Sequence, residues 1–310
     1  MLILQIGLGL ALLVAGGETL VRGAVSLAAR LGISPLLIGL TIVGFGTSTP
    51  ELVTSLQAAF AGSPGIAMGN VVGSNIANIL LILGVAALLS PVLVGRESFR
   101  RDGAALGIAT LAALAIVLTG DLTRLFGLLL FLGLLAYLFV TYQSERTATD
   151  PHADLAAKGG LLGPLVLTII GIALTVLGAR FLVSGAIDLA ERAGISDAII
   201  GLTIVAVGTS LPELVTSIMA AIRRQSAIAF GNVIGSNIYN ILGILAVTAL
   251  VHPISVPDQI ANFDIWVALA ATIALMAMAV TGWRITRREG AMLLIAYGAY
   301  LAWLATTAVG

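Results

Sequence analysis

The most constraining feature of this sequence is a segment that occurs twice, at a constant offset of 162 residues. Of the 48 positions in residues 33–80, 31 are identical to their partners in residues 195–242, and no gap is needed. The chain is therefore an internal duplication, and we expect its two halves to share one fold. Each copy holds two motifs: GFGTSTPE at residues 44–51 with AVGTSLPE at 206–213, and GNVVGSNIAN at 69–78 with GNVIGSNIYN at 231–240.

The composition places the chain in a lipid bilayer. Hydrophobic residues make up 59% of the sequence and charged residues 10%, whereas soluble domains are about 25% charged. Basic and acidic residues number 15 each, so no basic surface indicates nucleic acid as a partner. The absence of cysteine excludes disulfides, thiolate catalysis and cysteine-bound metals. His152, in a polar linker, and His252, at the end of an apolar segment, are interpreted as loop residues rather than metal ligands or catalytic bases.

Ten apolar runs are long enough to cross a membrane, for which a helix needs about 20 residues. The sequence therefore predicts an all-α integral membrane protein with ten transmembrane helices in two five-helix repeats. The first repeat is predicted at residues 1–148, a cytoplasmic linker at 149–162 and the second repeat at 163–310. The predicted helices cover residues 2–30, 35–61, 65–90, 100–120, 123–143, 161–192, 197–222, 227–251, 259–281 and 289–308.

The distribution of arginine and lysine indicates the orientation of the chain, because these residues accumulate in cytoplasmic loops. Eleven of them lie in loops after odd-numbered helices, and only Arg124 and Arg192 lie in loops after even-numbered ones. The chain is thus predicted to be a multi-pass protein of the cell (plasma or inner) membrane with both termini on the extracytoplasmic side. Because each repeat has an odd number of helices, the second repeat enters the membrane from the opposite side. Such inverted repeats are typical of secondary transporters with a binding site near the midplane.

Glu51 and Glu213 most require an explanation, because they occupy equivalent positions inside apolar segments. On insertion scales a charged carboxylate at the centre of a spanning helix costs roughly 2.5 to 3.5 kcal/mol, so both need compensation. Interhelical hydrogen bonds from protonated glutamates are one explanation. A bound cation is the other, since Pro50 and Pro212 leave main-chain carbonyl groups unpaired beside the carboxylates.

Hydroxyl and amide side chains accompany the two glutamates at helical spacing. Residues three or four apart share one face of a helix. In the first motif this spacing places hydroxyls on the same face as the glutamate, and in the second it places a serine on the same face as an asparagine. The resulting set offers only oxygen ligands, which suit hard cations such as Ca²⁺ and suit transition metals poorly. Four further asparagines are equally compatible with ligation and with helix packing: Asn70, Asn75, Asn232 and Asn237.

Other charged residues have simpler interpretations. Asp102 and Asp264, also 162 residues apart, lie near predicted helix starts, where capping or the helix dipole explains them. Glu18 and Arg22, four residues apart, are interpreted as an ion pair. Arg180 takes the place of Glu18 in the second repeat, which argues against a symmetric role at that position.

The paired motifs GTSxPE and GNxxGSNxxN closely resemble the alpha-repeats of the Ca²⁺/cation antiporter superfamily, and the whole chain resembles a compact prokaryotic sodium/calcium exchanger. The resemblance implies that helices 2, 3, 7 and 8 form a core against which helices 1 and 6 slide to alternate access. It also implies ion ligands that comprise two central carboxylates shared by Ca²⁺ and Na⁺, flanking hydroxyls and amides, and two main-chain carbonyls. Carried over by motif, these are Glu51, Glu213, Thr47, Ser48, Thr209, Ser210, Ser74, Asn78, Ser236 and Asn240, with the carbonyls of Gly44 and Ala206.

Asn240 departs from this resemblance, because prokaryotic sodium/calcium exchangers carry an aspartate at the corresponding position. Two glutamates give the site a formal charge of minus two, which one Ca²⁺ neutralises. A third carboxylate nearby would crowd like charge and tend to be protonated, and asparagine mimics the protonated form. We therefore expect Ca²⁺ exchange to be retained, with weaker inhibition by protons than in an aspartate-bearing relative.

The sequence favours a secondary antiporter that exchanges Na⁺ for Ca²⁺, with membrane lipid as its surroundings and no cofactor. A proton-coupled Ca²⁺ exchanger of the same superfamily is the nearest alternative, since glutamates can release H⁺ as well as bind Na⁺. A cation channel would use the oxygen cluster as a selectivity filter, although inverted repeats favour alternating access. An enzyme is not expected, because Ser48 and Ser210 have no histidine partner at membrane depth.

Overall fold

The computed structural model describes residues 2–146, 160–192 and 206–308. In these ranges eight helices are long and apolar enough to cross a membrane, and a bent pair forms a ninth span. Residues 149–159 of the predicted linker, which include His152, and the start of the predicted seventh helix lie outside the described residues, so the division at 148 and 163 stays a prediction. The helices are α1 Leu2–Leu31, α2 Pro35–Thr47 with Thr49–Phe60, α3 Pro64–Leu89, α4 Arg96–Thr119, α5 Arg124–Arg146, α6 Leu162–Arg192, α7 Ala206–Thr209 with Leu211–Ile222, α8 Ser226–Val251, α9 Ile260–Val280 and α10 Arg287–Ala308.

Local sequence signals explain where several helices begin and end. Ser34 Oγ accepts a hydrogen bond from the backbone nitrogen of Leu37 (3.1 Å), and Pro35 occupies the first helical position of α2. Pro64 begins α3 in the same way. α4 ends at Gly120, whose φ of 86° lies in the left-handed region that glycine adopts without strain. These signals account for the close agreement between predicted and observed helix ends.

Two short antiparallel ribbons show that the repeats are inverted. Strand β1 (Val92–Leu93) pairs with β4 (Arg284–Ile285), and β2 (Asp121–Leu122) pairs with β3 (Ile254–Ser255). β1 and β2 lie at opposite ends of α4, whose 24 residues span about 36 Å at 1.5 Å per residue. β1 and β3 are equivalent in the duplication, yet they belong to ribbons at opposite ends of the molecule. The sequence does not predict these strands, since two residues carry no periodic signal.

α3 and α8 form the centre of the protein. Of their most apolar stretches, 78% and 83% respectively are buried, whereas the corresponding stretch of α10 is only 17% buried. The hydroxyls of Thr110 on α4 and Thr272 on α9, which are 162 residues apart, meet at 3.4 Å and mark the axis that relates the repeats. The second motif of each repeat therefore lies deep in the core, away from the lipid.

α1 and α6 pack with their backbones in close contact. Glycines recur every seven residues in both helices, at positions 9, 16 and 23 and at 171, 178 and 185. A Cβ on Gly9 would lie 2.6 Å from the backbone nitrogen of Leu182, and a Cβ on Gly171 would lie 2.4 Å from that of Leu20. No side chain fits at these positions, and such close approach of small residues is how helices associate in lipid.

Neither of the two predicted capping aspartates caps its helix. Asp102 lies in the second turn of α4, fully buried, where its Oδ1 accepts a hydrogen bond from the Tyr137 hydroxyl (3.2 Å) and pairs with Arg101 (2.7 Å). Asp264 Oδ1 accepts a hydrogen bond from the Tyr300 hydroxyl at 3.0 Å. The capping interpretation is therefore wrong: the two carboxylates tie α4 to α5 and α9 to α10.

Candidate ion-binding site

A break in α2 places Glu51 at the centre of the protein. The two segments of α2 meet at an angle of 43°, and Ser48 lies between them. Pro50 then occupies the first turn of the second segment, where it can begin a helix but cannot continue one from the preceding segment. α7 repeats the arrangement, with Ser210 at the break and Glu213 in the first turn that follows.

Each glutamate is bound by a serine of the other repeat. Ser48 Oγ donates a hydrogen bond to Glu213 Oε1 (2.8 Å), and Ser210 Oγ donates one to Glu51 Oε1 (3.1 Å). All four side chains are buried, with at most 2% of any residue exposed. The two repeats therefore build one shared site.

Eight buried side-chain oxygens have no hydrogen-bond partner in the described part of the chain, and four of them belong to predicted ligands. These four are Oε2 of Glu51, Oε2 of Glu213, Oδ1 of Asn78 and Oδ1 of Asn240, two symmetric pairs; the other four belong to Thr141, Thr216, Asn237 and Thr248. An unpaired buried polar group costs on the order of 1–3 kcal/mol. A cation bound by these oxygens would offset that cost, because carboxylate and amide oxygens are its ordinary ligands.

The second motif brings serines of α3 and α8 to the helix breaks. Ser74 Oγ lies 3.4 Å from Ser210 Oγ, and Ser236 Oγ donates to the carbonyl oxygen of Gly44 at 3.4 Å. Asn78 and Asn240 follow one turn later on the same helix faces, and each is the first residue of a π-helical segment. Such segments are frequent at functional sites, although α2 and α9 also contain one each, and the sequence does not predict them.

Two of the four ambiguous asparagines hold the site helices together. The amide nitrogen of Asn70 donates to the carbonyl oxygen of Glu51 and to Ser55 Oγ, both at 2.9 Å. Asn232 makes the equivalent bonds, to the carbonyl oxygen of Glu213 at 3.2 Å and to Ser217 Oγ at 2.9 Å. Both amide groups are thus occupied by protein partners, which supports the packing interpretation for this pair.

The remaining predicted ligands lie around this centre. Thr47 Oγ1 contacts Asn232 Oδ1 at 3.2 Å, and Thr209 Oγ1 contacts Asn70 Oδ1 at 3.4 Å. Ala206, predicted to offer its carbonyl group, is the first described residue of α7, one turn before the helix break. Among the described residues no three His, Cys, Asp or Glu side chains form a cluster. Within the described residues, the site therefore holds two carboxylates, those of Glu51 and Glu213.

A cavity of about 280 Å³ lies beside the helix break of α7. It lies between the second segment of α2, α6 and the start of α7, and its lining includes Val53, Gln57, Ala179, Arg180 and Thr209. The guanidinium of Arg180 and the Gln57 amide face the same space as a predicted ligand. The cavity thus borders the helix break of α7 at Thr209, the residue before Ser210.

The equivalent positions in the other half pack against one another. Gly17 of α1 corresponds to Ala179, and a Cβ on Gly17 would lie 2.9 Å from Val215 Cγ1 and 3.0 Å from Met219 Cγ. Beside this contact Arg223 Nε donates to Glu18 Oε2 at 2.9 Å, which joins α1 to the end of α7. The predicted pair of Glu18 with Arg22 is also confirmed.

Inverted repeats with a shared buried site between them are typical of secondary transporters. Comparison with known proteins gives the family. Residues 1–143 and 163–306 match the family described as sodium/calcium exchanger protein. The chain belongs to this family.

Individual relatives agree with this assignment over nearly the whole chain. The putative antiporter CaxA of Alkalimonas amylolytica is 40% identical, over 94% of this chain and 95% of its own length. The sodium/calcium exchanger MaX1 of Methanosarcina acetivorans is 37% identical, over 95% of each chain. The solved structure of the sodium-calcium exchanger NCX_Mj, soaked with 2.5 mM Na⁺ and 0.1 mM Ca²⁺, has a TM-score of 0.86 at 35% identity and covers 97% of this chain and 99% of its own.

Proposed function

We propose that this protein exchanges Na⁺ for Ca²⁺ across the membrane by alternating access, with both ions bound at the site between α2, α3, α7 and α8. The observation that carries the proposal is that four of the unpartnered buried oxygens belong to predicted ligands, two from each repeat. Hard cations take such oxygens as ligands. Membership of the sodium/calcium exchanger family supports Na⁺ and Ca²⁺ as the transported ions.

Glu51 and Glu213 are proposed as the central ligands, and they determine the charge balance. Their combined charge of minus two matches one Ca²⁺, and Na⁺ ions compete for the same oxygens. Ca²⁺ takes six to eight oxygen ligands, which the two carboxylates alone do not supply. The rest of the proposed set comprises the side chains of Thr47, Ser48, Ser74, Asn78, Thr209, Ser210, Ser236 and Asn240 and the carbonyl groups of Gly44 and Ala206.

The open cavity and the closed contact support alternating access. By the distribution of basic residues, the loop after α2 is extracytoplasmic and the loop after α7 is cytoplasmic. The cavity at Gln57, near the end of α2, then faces outward, and the Glu18 and Arg223 contact closes the cytoplasmic side. Movement of α1 and α6 would exchange the open and closed sides. In this proposal the protein lies in the cell membrane with both termini on the extracytoplasmic side.

Ca²⁺ uptake into proteoliposomes tests the proposed coupling. The wild-type protein is assayed with radioactive Ca²⁺ under an outward Na⁺ gradient and, separately, under an outward proton gradient at the same membrane potential. We expect uptake to follow the Na⁺ gradient. Uptake that follows only the proton gradient would identify a proton-coupled exchanger, and single-channel currents would identify a channel.

A further inference from the structure

Asn240 presents a problem that an aspartate would not have, because its amide group can turn either of two different atoms toward an ion. The oxygen is a ligand for a cation, whereas the NH₂ group carries partial positive charge and repels one. We infer that Asn75 fixes the orientation of the Asn240 amide, so that the oxygen faces the ion. This inference rests on the proposed function, since it concerns a ligand of that site.

A chain of two hydrogen bonds determines the orientation. The main-chain carbonyl of Asn237 can only accept, so the group that Asn75 turns toward it must be its NH₂, at 3.3 Å. Asn75 Oδ1 then points the other way and can only accept. It accepts from Asn240 Nδ2 at 3.0 Å, which leaves Asn240 Oδ1 buried and without a partner in the described residues. The backbone carbonyl of Asn237 thus fixes the orientation of the Asn75 amide, which in turn fixes the orientation of the Asn240 amide.

This chain of two hydrogen bonds, here called the relay, joins the two repeats. Of the two equivalent asparagines Asn75 and Asn237, only Asn75 makes it. Asn75 lies on α3 and reaches across to α8, and both of its partners are buried with it in the core. Asn237, its equivalent in the duplication, donates instead to the carbonyl oxygen of Val233 in its own helix, at 3.0 Å. Asn75 is therefore a positioning residue, and Asn237 provides a matched control.

The relay is needed only while residue 240 is asparagine. An ionised aspartate has two equivalent oxygens, so at a pH that keeps residue 240 ionised no rotation of its side chain can turn a donor toward the ion. Asn75 Oδ1 would moreover face a carboxylate oxygen, which is another acceptor, and the hydrogen bond would be lost. Removal of the Asn75 amide should therefore weaken ion binding when residue 240 is asparagine and should not weaken it in the Asn240→Asp protein.

Equilibrium binding of radioactive Ca²⁺ to the purified full-length protein tests the inference. The set comprises the wild type, Asn75→Leu, Asn240→Asp, the double variant and Asn237→Leu. We expect Asn75→Leu to raise the Kd for Ca²⁺ at least about tenfold, which corresponds to about 1.4 kcal/mol. The same change in the Asn240→Asp protein should leave the Kd within about twofold, and Asn237→Leu should have the smaller effect of the two single leucine variants.

The outcomes separate the two claims. An equal rise in Kd in both backgrounds would show that Asn75 acts through general packing and would overturn the inference, as would an unchanged Kd in Asn75→Leu. Binding by the double variant shows that leucine at position 75 is compatible with folding. If that variant does not fold, Asn75→Ala in both backgrounds replaces it. Wild-type protein that binds no Ca²⁺ would instead overturn the proposed function.

Discussion

At the scale of single residues, Glu51 and Glu213 each have one carboxylate oxygen bound by a serine of the opposite repeat and one oxygen without a partner in the described residues. The serine bonds orient the carboxylates, and the second oxygens remain available to an ion. Substitution of either serine therefore acts on the glutamate of the other repeat. A single ion bound here contacts both halves of the duplication at once.

Asn240→Asp is predicted to make transport more sensitive to acid. The substitution adds a third carboxylate to a site that holds two, and crowded like charges bind protons more readily. The pH at which Na⁺-driven Ca²⁺ uptake falls to half its maximum should therefore be higher in the variant than in the wild type. The measurement is uptake across a series of pH values, with Asn262→Asp, at an exposed position outside the site, as the control. An unchanged profile would contradict the assignment of Asn240 to the site.

The sequence predicts the residues of this site but not their pairing. The duplication and the helical spacing are sufficient to select the glutamates, serines, threonines and asparagines that the structure brings together. That Ser48 binds Glu213, rather than the glutamate three residues away, depends on how the repeats cross and is not encoded locally. The hydrogen bonds that Asn75 makes with α8 are equally long-range. The sequence alone therefore does not distinguish ion ligation from helix packing for this residue.

At the scale of helices, the seam between α1 and α6 depends on backbone contact. Gly9→Ala is predicted to destabilise the protein, because its Cβ would lie 2.6 Å from the backbone nitrogen of Leu182. Overpacking of this kind costs about 1–3 kcal/mol. Gly7→Ala is the matched control, since it lies on the same helix with nothing within 4 Å of its Cβ position. Thermal unfolding in detergent should show a lower midpoint for Gly9→Ala only, and equal midpoints would contradict the close packing.

The contact of α1 with the end of α7 is predicted to hold one side closed. Glu18→Gln removes the charge that pairs with Arg223 and should favour opening of that side. Because the chain has no cysteine, a single cysteine at position 219 or at the equivalent position 57 can report opening through its rate of reaction with a maleimide. Position 57 should react faster in the otherwise unchanged protein.

Glu18→Gln should then accelerate labelling at position 219 severalfold and slow it at position 57. The exposed Glu97→Gln is the control for the loss of a carboxylate elsewhere. Acceleration at both positions would indicate general loosening rather than a shift between the two open states, and no acceleration at position 219 would show that the ion pair does not restrain α1.

The helices themselves follow from the sequence, because proline, glycine and serine define their ends and apolar runs define their lengths. The features that it does not predict are those without a local signal. They include the two-residue strands, the π-helical segments that start at Asn78 and Asn240, and the tyrosine partners of Asp102 and Asp264.

At the scale of the whole molecule, inversion of the repeats makes the two sides of the protein nearly equivalent in structure but different in state. Single cysteines at Glu97 and Asp121, both exposed and at opposite ends of α4, test the predicted orientation. An impermeant maleimide added to intact cells should label position 121, and position 97 should be labelled only after permeabilisation. The reverse result would invert the orientation, and labelling of both from outside would contradict the membrane topology.

The central claim is that one ion site is built from both repeats and carries Ca²⁺ in exchange for Na⁺. The most direct measurement is Na⁺-driven uptake of radioactive Ca²⁺ by proteoliposomes that contain the wild type, Glu51→Gln, Glu213→Gln or the control Glu97→Gln. Each site variant removes one of the two charges that balance Ca²⁺, so uptake should fall to the level of protein-free liposomes in both, while Glu97→Gln transports as the wild type does. Wild-type uptake in either Glu51→Gln or Glu213→Gln would contradict the shared site.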